Sequence, residues 1–245
     1  MRLSTAALAA LALWTSAVAQ DEARVVRLVG QALDRKTGAL LYTENHAQQF
    51  RGGKLVSDRV EYRWPDGRSF AVKTVRYGDH PYAPDFRLDD SRDGYFEGAE
   101  KTGDRYEMYR KHGDQTQRKS IAWSDTLVAD AGFDCMVKAR LPELLAARGA
   151  SVQVELAVAG RLASLGFRVV TEQIDPQRRV VELRAEADSL LRLIVPAIEL
   201  AYATDTRELL RYVGLSNIRN SSGELYDTRI EFPRDDGRAL PPTCG

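Results

Sequence analysis

The sequence predicts a mainly β protein: one large curved antiparallel sheet, a half-barrel or barrel of roughly 10–12 strands, with one main helix packed on or in its concave face. Three observations lead there. Short runs of alternating apolar residues recur along almost the whole chain, the period of a half-buried strand. The breaks between runs are of hairpin length and carry Gly, Pro, Asp and Asn, so successive strands pair antiparallel. Helical spacing outlasts a single turn in one stretch, residues 130–149. A sheet with that many strands curls or closes, and the helix then fills its hollow or caps its mouth.

In the helical stretch Phe133, Met136, Val137, Leu141, Leu144 and Leu145 recur at three- and four-residue steps and share one face. Asp130 is the expected N-cap and Gly149 the expected stop. Pro142 inside the run predicts a kink, or two short helices sharing one apolar side.

The strands before the helix are read from residue 24 onward. Runs at 25–33 and 39–48 flank the turn cluster Arg35-Lys36-Thr37-Gly38. Arg51-Gly52-Gly53-Lys54 and Pro65-Asp66-Gly67 bound the next run, where Val56, Val60, Tyr62 and Trp64 share a face and Asp58 intrudes. After Phe70–Tyr77 the stretch 80–98 reads as irregular, because Pro81 and Pro84 forbid a helix. Runs at 105–110 and 117–123 form a further pair with a wet face.

After the helix the alternation is cleaner. Val152, Val154 and Leu156 form one inward set, and Phe167 with Val169 a second. Val181 with Leu183, and Ile198, Leu200 and Tyr202, complete the wall. Leu190–Ala203 is the most apolar run, read as a buried strand because it is short and holds Arg192 and Glu199. The inward sets predict one apolar wall facing Phe133 and Val137 of the helix, with Tyr62 and Trp64 extending it from the first half. These residues are the candidate ligand contacts, since ligand sites are concave and mostly apolar.

Residues 1–19 have the layout of a secretory signal peptide: Arg2, an apolar run Leu3–Trp14, then Ala17-Val18-Ala19. That implies a periplasmic or secreted protein, one domain over 20–245, not membrane-spanning once the leader is removed. Lys plus Arg and Asp plus Glu number 35 each. Arg2 is the only charge before residue 20, so the remainder is one unit negative, which argues against a nucleic-acid partner.

Asp89, Ser91, Asp93, Gly94 and Glu100 match the spacing of a calcium loop. The flanks read as extended rather than helical, so an acidic hairpin turn is the preferred reading. His46, His80 and His112 are too far apart for a local zinc motif. The neighbours Asp79-His80 would point to opposite faces of a strand. Ser216-Asn217 reads as a turn. No nucleophile, phosphate or dinucleotide fingerprint is present, so no catalytic residue, metal or cofactor is assigned. Cys135 and Cys244, two cysteines in a chain read as exported, predict a disulfide that clamps the tail to the helix.

The plan of leader, curved antiparallel sheet and inserted helix resembles the periplasmic lipid-carrier half-barrels, the family of the lipoprotein localisation factor. Gly132-Phe133-Asp134, Leu210-Arg211-Tyr212 and Gly214-Leu215-Ser216-Asn217-Ile218 also resemble uncharacterised bacterial exported proteins. The carrier resemblance implies reversible binding of acyl chains, or another apolar small molecule, between sheet and helix. The alternatives are a structural or partner-binding envelope protein with a filled core, and a hydrolase with a dispersed site.

Overall fold

The structure, a computed structural model, describes residues 23–188, 196–233 and Cys244. Residues 1–22, which include the stretch with the layout of a leader, lie outside the described residues, as do 189–195 of the apolar run and most of the proline-bearing tail. Fifteen strands form one sheet. In the first half these are β1 (Arg24–Asp34), β2 (Leu40–Arg51), β3 (Lys54–Arg63), β4 (Ser69–Arg76), β5 (Asp85–Asp90), β6 (Tyr95–Thr102), β7 (Arg105–His112) and β8 (Gln115–Ala122). Then come the short β9 (Leu127–Ala129) and the helix α1 (Phe133–Leu144). The second half holds β10 (Ser151–Val158), β11 (Ala163–Asp175), β12 (Val180–Ala187), β13 (Ile198–Ala203), β14 (Leu209–Arg219) and β15 (Leu225–Glu231).

The spatial order is β8 through β1, then β15 down to β9. First and last strands therefore pair at the centre, Ala32 opposite Ile230, and each half is a meander running outward or inward. All pairings are antiparallel except β9 with β10. β8 and β9, the two edges, are joined by residues 123–126 alone, a span of roughly 18 Å at full stretch, so the sheet must curl until the end of β8 comes near the start of β9. The seam stays unclosed by strand pairing. It is bridged where Arg110 Nη1 donates to the Gly160 carbonyl at 2.6 Å. Gly160 also lets the Glu97 carboxylate come close, since a Cβ would lie 2.3 Å from it and the Glu97 side chain would have to shift.

The strand count exceeds the expectation for two reasons. Pro81 and Pro84 confine the irregular backbone to 77–84, and Asp85–Asp90 forms a strand that the prolines had hidden. The three residues of β9, Leu127–Ala129, are too few to show alternation. Asp85–Thr102 is one hairpin: Gly94 turns it at φ +70°, Asp89 binds Arg87, and Asp93 accepts the Tyr95 amide. Among the described residues no three His, Cys, Asp or Glu side chains are grouped to hold a metal. No helix there is long and apolar enough to cross a membrane.

The helix is a single one. Pro142 lies in its last turn, so one backbone hydrogen bond near the C-terminal end is lost and no second helix forms. Asp130 is not its N-cap. Residues 130–132 make a tight turn first, the cap position is Gly132, and the Asp130 carboxylate points elsewhere. Gly132 allows a close approach that no other residue would: a Cβ would stand 2.0 Å from the Tyr82 carbonyl.

Candidate functional site

Three regions of the interior and its mouth were built up from the strands. The first is the apolar wall. Val152, Val154 and Leu156 on β10, Phe167 and Val169 on β11, Leu183 on β12, and Ile198, Leu200 and Tyr202 on β13 meet α1 in one cluster. Phe133, Met136, Val137, Leu141 and Leu144 close on them from the helix. Val137, Leu141, Leu144, Val169 and Tyr202 are all 0% exposed, so helix and wall touch along this stretch. Tyr202 anchors the helix start as well, its hydroxyl donating to Asp134 at 3.0 Å. Tyr62 and Trp64 do not extend this wall. They pack with Tyr42, Phe70, Leu88 and Ile230 in a separate cluster, and Trp64 stacks on Phe70 at 4.1 Å. Tyr212 of β14 packs against both clusters and stands between them.

The second region is polar, and sequence reading missed it. On β2 the inward side is Tyr42, Glu44, His46 and Gln48, while the apolar Leu41 and Ala47 alternate to the other side. Asp58 of β3 is 5% exposed and its Oδ2 lies 2.8 Å from His46 Nδ1. Glu44 Oε2 approaches the other ring nitrogen at 3.7 Å. Burial alone would lower the imidazole pKa, but the Asp58 and Glu44 carboxylates outweigh it and hold the pKa up at about 9. Nearby, Lys73 Nζ donates to Asp130 Oδ2 at 2.7 Å, and Asn217 Nδ2 donates to the same oxygen at 2.5 Å. Burial would lower the Lys73 pKa, and the Asp130 charge reverses that and raises it. Glu97 is pushed up by burial and accepts from the Tyr95 hydroxyl.

Asn217 reaches the interior because β14 bulges. Leu215 pairs with Asp227 and Arg219 with Leu225, leaving three residues opposite one. Ser216 and Asn217 therefore belong to a strand irregularity that re-aims side chains, not to a turn. The signal that exposes this region in the sequence is the intruding Asp58: a buried charge on one strand demands partners on the next.

The third region is a cleft of about 740 Å3 at the mouth. One side is the loop 79–83, held by Ala129 N–H to the Tyr82 carbonyl at 2.8 Å and by Tyr77 hydroxyl to the Ala131 carbonyl at 3.1 Å. The other sides are α1, through Lys138 and Ala139, and the turn 204–207. Tyr82, Trp123 and Leu127 give it apolar surface, and the Cys135–Cys244 disulfide lines it. His80 packs edge-on against Trp123 at 4.7 Å. Cys135 sits 2% exposed among Phe50, Leu55 and Tyr82, so the bond ties the chain end to the helix and to β2–β3.

No family model, curated protein or solved structure matches the chain. The reading of function therefore rests on these three regions.

Proposed function

We propose that this is an exported binding protein that takes the apolar part of an amphipathic small molecule, such as an acyl chain, in the cleft beside the helix. The observation that carries the reading is the cleft itself. Its volume of about 740 Å3 falls in the range of ligand sites, it is walled by Tyr82, Trp123, Leu127 and Ala139, and charged groups stand at its rim. Burying eight methylenes there would contribute about 6 kcal/mol before ordering costs. The ligand lies on the outer flank of the helix, because the inner flank is occupied by the wall. Export is supported by the disulfide, a bond that persists in oxidising compartments.

Ala139 is exposed on the helix and faces the cleft, so Ala139→Trp adds bulk with little effect on folding. Uptake of a fluorescent fatty acid by the protein should weaken by about tenfold or more in this variant, at an unchanged melting temperature. Uptake that survives Ala139→Trp would remove the cleft from the site.

The tight contact of helix and wall favours a second reading, a structural or partner-binding envelope protein with a filled core. Absence of fatty-acid uptake by the unaltered protein would leave that one in place. The hydrolase reading gains least from the polar interior. With a pKa of about 9 His46 carries its proton at neutral pH, so it is a poor general base, and its second nitrogen faces Glu44 rather than a nucleophile.

A further inference from the structure

We propose that the outer edge of β8 is a docking strand for an extended acidic segment of another polypeptide, which adds to the sheet by backbone pairing. The two edges of the sheet differ. β9 is three residues long, fully buried, and its Ala129 amide is bound by the Tyr82 carbonyl. β8 is eight residues long and pairs with β7 in unbroken register, from Arg105 opposite Ala122 to His112 opposite Gln115. Residues 115–119 are exposed on both faces. Among the described residues no backbone group bonds its outer side, where Arg105 Nη2 donates to the Ser120 carbonyl at 3.0 Å and leaves the stretch 115–119 open, and it contains neither a proline nor a bulge. Such an edge is a template for a further strand.

Charge decides what strand it accepts. Arg118 lies on the face of Tyr109, 5.3 Å from that ring, and Lys119 on the opposite face, across from Met108. Behind them β7 adds Lys111 and Arg105, the latter bound to Ser120, against Glu107, which is 3.6 Å from Arg118, while Arg110 is held by Gln117 and the Gly160 carbonyl. A second copy pairing two-fold about Arg118 or about Lys119 would set that cation directly against its own copy, like charges across a ladder. A strand with Asp or Glu at alternate positions meets a cation whichever face its acids take. Lysine and arginine on an edge normally deter pairing; here they deter self-association and leave an acidic strand as the complementary partner.

The test uses two fluorescein-labelled eight-residue peptides, one alternating Glu and Thr, the other Lys and Thr. In anisotropy titrations the acidic peptide should bind about tenfold tighter or better, and Arg118→Glu with Lys119→Glu should invert the preference. Hydrogen exchange should slow at β8 amides when the acidic peptide is bound. An acidic peptide N-methylated along one edge should bind about tenfold more weakly, because it cannot complete the ladder. Equal binding of both peptides, an unchanged preference in the charge-reversed variant, no protection in β8, or full binding of the methylated peptide would each overturn the proposal. Ala139→Trp should leave the titration unchanged, which separates this surface from the cleft.

Discussion

The two halves of this sheet fill their hollow in different ways. Over β10–β14 a helix lies on the concave face, and the side chains beneath it are Val, Leu, Phe and Tyr. Over β1–β7 no helix is present, and the interior holds tyrosines and phenylalanine together with paired charges on β2, β3, β4 and β6. The difference follows from reach. A helix supplies a second apolar layer, so short branched side chains suffice on the strands. Without it, long side chains must span the hollow, and charges taken inside must bind one another or cost several kcal/mol each. Asp130 joins the halves: from the turn before α1 it binds Lys73 of β4 and Asn217 of β14.

The sharpest way to break the helical half is Leu141→Ala, which empties a site 0% exposed and should cost about 3–5 kcal/mol in urea unfolding. Leu88→Ala probes the other half, and a single shared transition for both variants would show the halves unfolding as one unit. A separate early transition for Leu88→Ala would show the polar half to be the weaker.

Next in size is the disulfide, which closes a loop between residues 109 apart in sequence. Reducing it should lower stability by about 2–4 kcal/mol. Unreduced protein unfolded in denaturant should show no reactive thiol, and titration of two would dismiss the bond.

Lys73→Ala tests the strut between the halves. It leaves Asp130 without its ammonium partner and should cost about 2–3 kcal/mol, discounted because the Asp130 side chain is 35% exposed. Lys73→Met combined with Asp130→Leu should recover much of that loss, since an apolar pair needs no counter-charge. If the double variant is no better than the single, the strut acts through Asn217 as well.

The smallest effect is the pH dependence of His46. Its pKa rises from an ordinary 6.5 to about 9 on folding. A raised pKa gives stability that is fully present below about pH 6.5 and lost as pH climbs through 9, here about 1–3 kcal/mol. Unfolding followed between pH 6 and 10 should show this decline, and His46→Gln should flatten it. A decline of equal size in His46→Gln would assign it to other groups.

Much of this was readable in advance, and the misreadings share a cause. The helix, the turns and the inward sets of β10–β13 are local patterns, visible as spacing of apolar residues. The calcium-like spacing of Asp89 to Glu100 resolved into a hairpin for the same reason, since its flanks lacked helical period. What misled was polarity. Glu44 and His46 stand in a polar run with Thr43, Asn45 and Gln48 that has the composition of a solvent-facing strand, while Lys73 shares its face with Ala71 and Val75 and Glu97 with Tyr95 and Ala99, and the curvature of the sheet turns all four inward. Ser216-Asn217 looked like a turn because its bulge has turn composition within a strand.

The antiparallel β class, the place of the main helix and the inward sets of β10–β13 were carried by local spacing, because strand and helix periods are set by bond geometry within a few residues, whereas the unbroken course of the helix through Pro142 was not. The pairing of Cys135 with Cys244 was an expectation from composition, and the meeting of their backbones, with Cα atoms 5.5 Å apart, is a product of the fold. The tertiary structure alone decided the central pairing of β1 with β15, the near meeting of β8 and β9, and the Lys73–Asp130–Asn217 contact. Each joins residues far apart in the chain, and such contacts depend on how the whole sheet twists and curls, a sum over all fifteen strands that no local pattern carries.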